Sequence, residues 1–254
     1  METITSNRIS TTGIDPALSD EQIRTYHCEG WVLLPGVFRT AYAADLRAEV
    51  MAIMDAIGLP RTSLRQTGEY LAGGRIAALL ASPELRSIAS RLIGGPAHLY
   101  LPFTAVKSPG GGKFSFHQDN QYTRHDGPSI NLWCALEPMR VENGCLRMLS
   151  RSHLAGTLAS EDDNGHRTVR VEPQEFTSVI MEPGDFVAFS RLTVHGSGPN
   201  LTARPRVGYA VQYHREDVKA FWPDEGWFPL IERPRWPTTP VEAIARPTGK
   251  IDGH

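Results

Sequence analysis

Histidine and carboxylate residues two positions apart occur three times in the sequence, and each pair is a candidate for binding a metal ion. The pairs are His27/Glu29, His117/Asp119 and His214/Glu216. Side chains at i and i+2 share one face of a strand, whereas on a helix they project about 200° apart. The pair at 27/29 falls at the end of a predicted helix, and the pair at 214/216 is followed only by a histidine in the tail. We therefore favour the pair at 117/119, which follows the strand-like run FSF.

A third ligand is expected from the segment EPGDFVAFSRLTVHGSGPN, where His195 follows a strand-like run and precedes a Gly/Ser/Pro loop. Two imidazoles and one carboxylate on one face of an octahedral ion leave three positions open, which is typical of non-haem Fe(II) oxygenases. A structural zinc site would instead close its coordination with four ligands. The open positions can accept a bidentate 2-oxo acid and O2.

Arg206 is the candidate partner for the second carboxylate of a 2-oxo acid such as 2-oxoglutarate. It lies at the start of the alternating strand RVGYAVQY, eleven residues after His195. A buried carboxylate favours a fork-shaped cation, which arginine supplies. Gly208 and Ala210 share the face of Arg206 and are small, so we expect them to leave room for the cosubstrate.

Helical signals dominate the first part of the chain. Ser19 and Gln22 form a capping box for a helix over about 20–29 that ends at Gly30, and Pro83 opens a helix that continues to about residue 92. Between them, apolar residues at helical spacing predict a helix after Thr40 that ends before the glycine at 58. The polar stretch at 62–75 is expected to be a mobile loop.

From about residue 97 the pattern changes to short strands separated by turn clusters such as SPGGG, VENG and EPGD. The strand signals are HLYLPFTAV, KFSFH, INLWCAL, TSVIM, DFVAF and RVGYAVQYH. This pattern predicts a mainly β fold with flanking helices, built on a sandwich or barrel-like core. We expect one domain over 1–254, with a mostly helical part at 1–96, the β core at 97–217 and an irregular proline-rich tail at 218–254.

Composition excludes several classes of protein. Hydrophobic residues make up 41% and charged residues 21% of the 254 residues, and the formal net charge is −2. These values are typical of a globular protein and do not suggest a nucleic-acid partner. No apolar run approaches the roughly 18 residues of a membrane helix. A cytoplasmic location is expected, with Cys28, Cys134 and Cys145 as buried or half-buried free thiols.

Four segments together resemble the phytanoyl-CoA dioxygenase family of Fe(II)- and 2-oxoglutarate-dependent oxygenases. They are LSDEQIRTYHCEGWVLLPGVF, VKSPGGGKFSFHQDNQY, INLWCALEPMRVENGCLRMLSRSH and EPGDFVAFSRLTVHGSGPNLTARPRVGYAVQYH. The resemblance extends over about residues 18–217. It implies a double-stranded β-helix, the jelly-roll or cupin-like core, in which the third segment is a central hairpin.

The resemblance also implies roles for individual residues. His117, Asp119 and His195 would bind Fe(II), and Arg206 would bind the distal carboxylate of 2-oxoglutarate. Contacts to that cosubstrate are expected from Ser197, Trp133 and Lys107, although a turn hydroxyl, core packing and a solvated lysine are the respective alternatives. Because related halogenases carry a small residue in place of the Asp119 carboxylate, the resemblance favours hydroxylation or another oxidation, with release of succinate and CO2.

The substrate is expected to be a small or medium-sized organic metabolite, without nucleic-acid or membrane partners. Gln121, Tyr122 and Arg124, which follow the metal ligands, are candidate substrate contacts. His153 is expected to be a hydrogen-bonded structural residue, and the aromatic residues at 222, 227, 228 and 236 to anchor the tail or line a lid. Two alternatives stay open: a non-redox jelly-roll protein that binds a metal or small molecule, and a cupin-type isomerase or lyase.

Overall fold

The computed structural model describes residues 13–58, 64–163, 166–172 and 175–233. These ranges contain four α-helices: α1 (Asp20–Glu29), α2 (Thr40–Ala56), α3 (Arg75–Leu80) and α4 (Pro83–Ile93). The helices α1, α2 and α4 confirm the predicted elements. Ser19 and Gln22 form the expected capping box, and Ser82 caps α4 in front of Pro83.

Helix α3 begins at the last residue of the stretch 62–75 that was predicted to be a mobile loop, and continues over residues for which no element was predicted. Its first turn is capped by a side chain from a different helix, because the Glu49 carboxylate on α2 accepts hydrogen bonds from the backbone N–H groups of Arg75 and Ile76. A carboxylate at a helix N-terminus satisfies donors that have no partner within the helix. This tertiary contact has no local sequence signal, which is why the helix was missed. Residues 62 and 63 of the predicted loop lie outside the described residues.

Fifteen strands are present in the described parts of the chain. In order they are β1 (Trp31–Leu34), β2 (Leu64–Arg65), β3 (Ala97–Lys107), β4 (Phe114–His117), β5 (Arg124–Asp126), β6 (Ser129–Ala135), β7 (Leu146–Met148), β8 (Glu161–Asp163), β9 (His166–Thr168), β10 (Thr177–Ser178), β11 (Phe186–Ser190), β12 (His195–Ser197), β13 (Arg206–Arg215), β14 (Lys219–Trp222) and β15 (Gly226–Pro229). All six predicted strand segments contain strands. The shorter β5, β7, β8, β9 and β12 were not predicted.

Two sheets form the core of the fold. The larger has the order β1-β11-β6-β13-β3-β2, and the smaller has the order β10-β7-β12-β4. Apolar residues from both sheets pack together between them, including Trp133, Phe189 and Ala210 from the larger sheet and Met148 from the smaller. This arrangement is the predicted double-stranded β-helix. Strand β1 belongs to the larger sheet, so the core begins well before residue 97.

The larger sheet separates the helices from the interior of the sandwich. Alternate residues of β13, such as Val207 and Tyr209, pack with the helical residues Leu46 and Leu92 in one continuous apolar cluster. The residues between them, beginning with Arg206, face the smaller sheet. The alternation of a strand therefore assigns one face of β13 to the core and the other to the cavity described below.

The segment expected to be a central hairpin does not form one. Strand β6 pairs with β11 and β13 in the larger sheet, whereas β7 pairs with β10 and β12 in the smaller. The connection between them crosses from one sheet to the other. The hairpin was implied by the resemblance to the family, but burial of each strand against its own sheet decides the pairing.

The tail predicted to be irregular contains regular structure up to residue 233. Strands β14 and β15 form a hairpin whose outer partner is β5, and Phe228 and Leu230 are buried with Tyr100. Pro223 follows β14 and Pro229 is the last residue of β15, so neither proline interrupts the interior of a strand. Trp222 packs against this cluster, in agreement with an anchoring role, and Trp236 lies outside the described residues.

Two further sequence expectations concern cysteines and membranes. All three cysteines are free; Cys134 and Cys145 are buried, but Cys28 is exposed, contrary to the expectation that every thiol would be at least half-buried. None of the helices in the described ranges has the length and apolar character required to cross a membrane.

Two glycines that follow helices, Gly30 and Gly94, allow a test of how tightly the end of α1 packs against the rest of the protein. Gly30 after α1 and Gly94 after α4 both have left-handed backbone, with φ of 81° and 70°. A Cβ at Gly30 would lie 2.3 Å from His153 Nδ1, whereas a Cβ at Gly94 would meet no atom within 4 Å. We expect Gly94→Ala to lower the free energy of unfolding by about 1–2 kcal/mol through backbone strain alone.

Gly30→Ala should cost about 1–3 kcal/mol more than Gly94→Ala, because the methyl group also displaces His153. Urea denaturation of both variants measures the difference. Equal losses would contradict a tight contact between Gly30 and His153.

Candidate metal centre

Three side chains predicted to bind metal converge between the sheets. His117 ends β4 and His195 begins β12, and the antiparallel register of these strands places the two residues directly opposite each other. Asp119 lies two residues beyond the end of β4, and its Oδ1 is 3.7 Å from His117 Nε2 and 3.8 Å from His195 Nε2. The three ligand atoms lie within 4.8 Å of one another, and all three residues are buried. Within the described ranges, neither of the other two sequence pairs forms such a group.

Backbone carbonyls orient both imidazoles toward the centre of the group. Nδ1 of His117 is 2.8 Å from the carbonyl oxygen of Ser115, and Nδ1 of His195 is 3.0 Å from that of Thr193. Each Nδ1–H therefore donates to a carbonyl, which leaves the Nε2 lone pair free to bind a metal ion. Burial, followed by the charge of His117, lowers the pKa of His195 to about 4. His195 is consequently neutral at pH 7, the form that binds metal.

The Asp119 carboxylate uses its two oxygens differently. Oδ1 faces the histidines, whereas Oδ2 accepts hydrogen bonds from Gln212 Nε2 at 3.0 Å and Asn131 Nδ2 at 3.3 Å. Burial alone would raise the pKa of Asp119, but the contact with His117 and the charges of His195 and Arg191 hold it well below its usual range. Two imidazoles that present Nε2 and one ionised carboxylate form a donor set that fits Fe(II).

A cavity of about 610 Å³ opens in front of the three ligands, and residues of both sheets line it. Apolar and aromatic walls come from residues such as Leu101, Phe103 and Phe189. Arg206, Ser197 and Trp133, which were expected to contact the cosubstrate, also line this cavity. The size and the mixture of apolar walls with a few polar groups are typical of a small-molecule site.

Arg206 is buried and presents a donor that has no protein partner. Its Nη1 donates to the carbonyl of Gly144 at 3.1 Å and its Nη2 to that of Ala105 at 3.4 Å, but Nε has no hydrogen bond. The guanidinium lies 5.2 Å from the centre of the Trp133 ring. Burial lowers the pKa of Arg206 to about 10, so the group remains charged at pH 7. A buried cation with an unsatisfied N–H fits a bound carboxylate.

The room expected beside Arg206 is partly occupied by protein. A Cβ at Gly208 would lie 2.2 Å from Cζ2 of Trp133, so the indole fills the space that this glycine leaves. Gly208 therefore makes room for the Trp133 ring beside the Arg206 guanidinium, and not for the cosubstrate itself. Trp133 is at once a packed residue and a wall of the cavity.

Lys107 is buried behind the cavity wall and is not a solvated lysine. Its Nζ donates to Ser197 Oγ at 2.8 Å and to the carbonyl of Gly198, and its Cα pairs with that of Arg206 on the neighbouring strand. Within the described residues it does not line the cavity. Burial, together with the charge of Arg206, lowers the pKa of Lys107 to about 7. The structure therefore connects Lys107 to the cavity through the Ser197 hydroxyl.

Of the three candidate substrate contacts, only Tyr122 lines the described cavity. Its ring meets the His117 ring edge-on, with centroids 5.4 Å apart, and its hydroxyl accepts from the Arg167 backbone N–H at 3.3 Å. Gln121 instead bonds with the backbone of Gln118 and Leu158. Arg124 lies over the rings of Phe221 and Trp227 in the C-terminal hairpin. These contacts indicate structural roles for Gln121 and Arg124.

Several residues of the site were not predicted. Gln212 and Asn131, which bind Asp119, are paired in the register of β13 and β6. Gln212 lies on the same face of β13 as Arg206, so the alternation that drew attention to Gly208 and Ala210 would have found it. Arg191 has no comparable signal, because its hydrogen-bond partners Gln212, Asp119 and Thr123 are distant in sequence. His153 bonds with the carbonyl of His27, as expected for a structural residue.

Comparisons with known proteins agree with this geometry. A family model described as phytanoyl-CoA dioxygenase matches residues 26–208. A methylphosphonate hydroxylase of Gimesia maris is 28% identical over 206 residues, which cover 76% of this chain and 79% of the relative. An L-proline trans-4-hydroxylase of Streptomyces griseoviridis is 24% identical, with 91% of this chain and 98% of the relative covered. The crystal structure of EvdO2 from Micromonospora carbonacea with 2-oxoglutarate shares the fold, with a TM-score of 0.66, 24% identity and coverage of 78% and 91%.

The lowered pKa of Lys107 predicts how stability depends on pH. Between the folded value of about 7 and the ordinary value of 10.5, the unfolded chain binds a proton that the folded chain does not. The free energy of unfolding of the metal-free protein should therefore rise from pH 7 to about 8.5, by up to about 1.4 kcal/mol per pH unit.

Lys107→Met should remove this contribution, whereas Lys113→Met, at an exposed lysine, should retain it. Urea titrations of the wild type and both variants across this pH range measure the slope. An equal slope in the wild type and Lys107→Met would contradict the buried-lysine interpretation.

Proposed function

Because this chain belongs to the phytanoyl-CoA dioxygenase family, we propose that His117, Asp119 and His195 are the ligands of its catalytic iron. The chain is an Fe(II)- and 2-oxoglutarate-dependent oxygenase that acts on a small molecule. The observation that carries the assignment of residues is the convergence of three buried ligand atoms within 4.8 Å of one another in a cavity that also exposes Arg206. Asp119 supplies the carboxylate, and the histidines supply neutral imidazoles.

Arg206 is proposed to bind the distal carboxylate of 2-oxoglutarate. Its unpartnered Nε and its buried charge support this role, and the Trp133 ring holds the guanidinium plane from one side. Ser197 is proposed to present its hydroxyl to the same carboxylate while it accepts from Lys107. Lys107 then acts as a positioning residue for Ser197, and Trp133 as a wall of the cosubstrate site.

When bound, iron together with 2-oxoglutarate and O2 supplies the oxidising power, and 2-oxoglutarate leaves as succinate and CO2. The protein would contribute position and shielding: the two carbonyl-oriented imidazoles and the Oδ1 of Asp119 would hold the ion. The apolar walls of the cavity beside these ligands would limit the access of water to the substrate. We propose hydroxylation as the outcome, since Asp119 retains a carboxylate and two similar relatives are named hydroxylases.

The proposed substrate is a small or medium-sized organic metabolite held in the 610 Å³ cavity, with Tyr122 as a contact. The relatives named for methylphosphonate and proline show that similar chains act on chemically different molecules. A cytoplasmic location and the absence of nucleic-acid partners stay predictions of the sequence. A cupin-type isomerase or lyase would give no role to the free Nε of Arg206, and the intact set of His117, Asp119, His195 and Arg206 speaks against a non-redox binding protein.

Anaerobic titration of the metal-free protein with Fe(II) and then 2-oxoglutarate tests these roles. The wild type should develop the weak visible charge-transfer band of an iron-bound 2-oxo acid. Asp119→Ala should lose the band because one of three ligands is missing. Arg206→Met should retain Fe(II) binding but lower the affinity for 2-oxoglutarate by about 10–100-fold. A loss of this size is expected when a buried charge-assisted contact of about 1.5–3 kcal/mol is removed.

Arg204→Ala provides the matched control, because Arg204 is exposed and lies two residues before Arg206. It should bind both ligands like the wild type. Fe(II) binding without a band, and without affinity for 2-oxoglutarate, would contradict the proposed roles and favour the non-redox alternatives.

A further inference from the structure

Arg191 is a buried arginine beside the metal centre that the proposed function leaves without a role. It directly follows β11, lines the cavity and is 4% exposed. In its guanidinium, Nη1 donates to Gln212 Oε1 at 2.6 Å, and Nη2 donates to the backbone carbonyls of Asp119 at 2.8 Å and Thr123 at 3.0 Å. Burial of a charged group lowers stability unless well-placed partners accept its hydrogen bonds.

The bond from Arg191 determines which way the Gln212 amide points. An arginine can only donate, so the Gln212 atom that faces it must be the carbonyl oxygen Oε1. The amide nitrogen is consequently directed to Asp119 Oδ2, at 3.0 Å. Without the arginine, the amide could rotate and present its oxygen to the carboxylate, which would be repulsive. Arg191 thereby selects the donor orientation of Gln212.

Asp119 is held at two points by this arrangement. Gln212 and Asn131 both donate to Oδ2, and Arg191 holds the backbone carbonyl of the same residue. With Oδ2 engaged by two amide donors, Oδ1 is the oxygen directed at the two imidazoles. The arrangement favours a carboxylate that binds metal through one oxygen and leaves the remaining positions open.

We propose that Arg191 is a positioning residue of the metal centre, which acts through Gln212 and the Asp119 carbonyl to present only Oδ1 to the iron. This inference rests on the proposed function, because it assumes that Asp119 is a metal ligand. Partners of metal ligands commonly change metal affinity by about 10–100-fold when they are removed. The same guanidinium lies 5.1 Å from the centre of the Tyr100 ring, which also lines the cavity.

Titration of the metal-free protein with Co(II) under anaerobic conditions tests the proposal with a readout other than activity. Co(II) reports both affinity and, through its visible absorption, the number and arrangement of its ligands. Arg191→Met should weaken Co(II) binding by about 10–100-fold and change the visible spectrum, because Asp119 is then free to turn. Gln212→Leu should have an effect of the same kind, since it removes the donor to Oδ2.

Arg140→Met is the matched control. Arg140 also donates to two backbone carbonyls, those of Met139 and Met181, but it does not line the described cavity. Its removal should leave the Co(II) affinity and spectrum unchanged even if the free energy of unfolding falls. A similar loss of affinity in Arg140→Met would show that general destabilisation is responsible, and would overturn the proposal.

The double variant Arg191→Met/Gln212→Leu separates a shared route from independent effects. Because Arg191 acts in part through Gln212, the double variant should lose less Co(II) binding free energy than the two single losses added together. Additive losses would overturn the proposed route through Gln212. If Arg191→Met does not fold, Gln212→Leu alone decides: an unchanged affinity and spectrum would overturn the proposal.

The wild type distinguishes this inference from the function on which it rests. A wild type that fails to bind Co(II) would overturn both the proposed metal site and the role of Arg191. A second outcome would overturn the role of Arg191 alone. In it, the wild type binds Co(II), Asp119→Ala does not, and Arg191→Met folds and binds Co(II) like the wild type.

Discussion

The antiparallel pairing of β4 with β12 is the interaction on which the site depends. It places His117 and His195 opposite each other although they are far apart in the chain. Residues opposite each other in an antiparallel pair have side chains about 5 Å apart on the same face, a separation that lets two imidazoles share one ion. A shift of one residue in this register would direct one histidine to the other face. The relative position of the two histidines therefore depends directly on the register of β4 and β12.

The polar groups around the centre form a second set of register-dependent contacts. Gln212 and Asn131 are opposite each other on β13 and β6, and both donate to Asp119. Burial of an ionised carboxylate is unfavourable unless its oxygens are hydrogen-bonded or bound to a cation. The amides satisfy one oxygen, and the other faces the imidazoles. The larger sheet thus supplies the support for ligands that come from the loops and strands of the smaller sheet.

The same sheet also separates two different environments. One face of β13 packs against the helices with Val207, Tyr209, Val211 and Tyr213, all buried. The other face carries Arg206 and Gln212 into the cavity. Since neighbouring residues of a strand point to opposite faces, one segment provides both core and site. The helices then stabilise the rear of the sheet, and the polar face can be used for binding.

The amino-acid sequence alone predicted the helix starts at Ser19 and Ser82, the six principal strands, and His117, Asp119, His195 and Arg206 as candidate site residues. Capping, strand alternation and the two-residue spacing of His117 and Asp119 are visible in the chain, whereas His195 and Arg206 were reached from their positions beside strand-like runs and from the family resemblance. Helix α3, the C-terminal hairpin and the partners of β7 required tertiary contacts, as did the placement of Trp133 over Gly208 and of Arg191 on Gln212. The physical reason is that each of these depends on which distant group satisfies a buried donor, carbonyl or apolar surface, and only the folded chain brings those groups together.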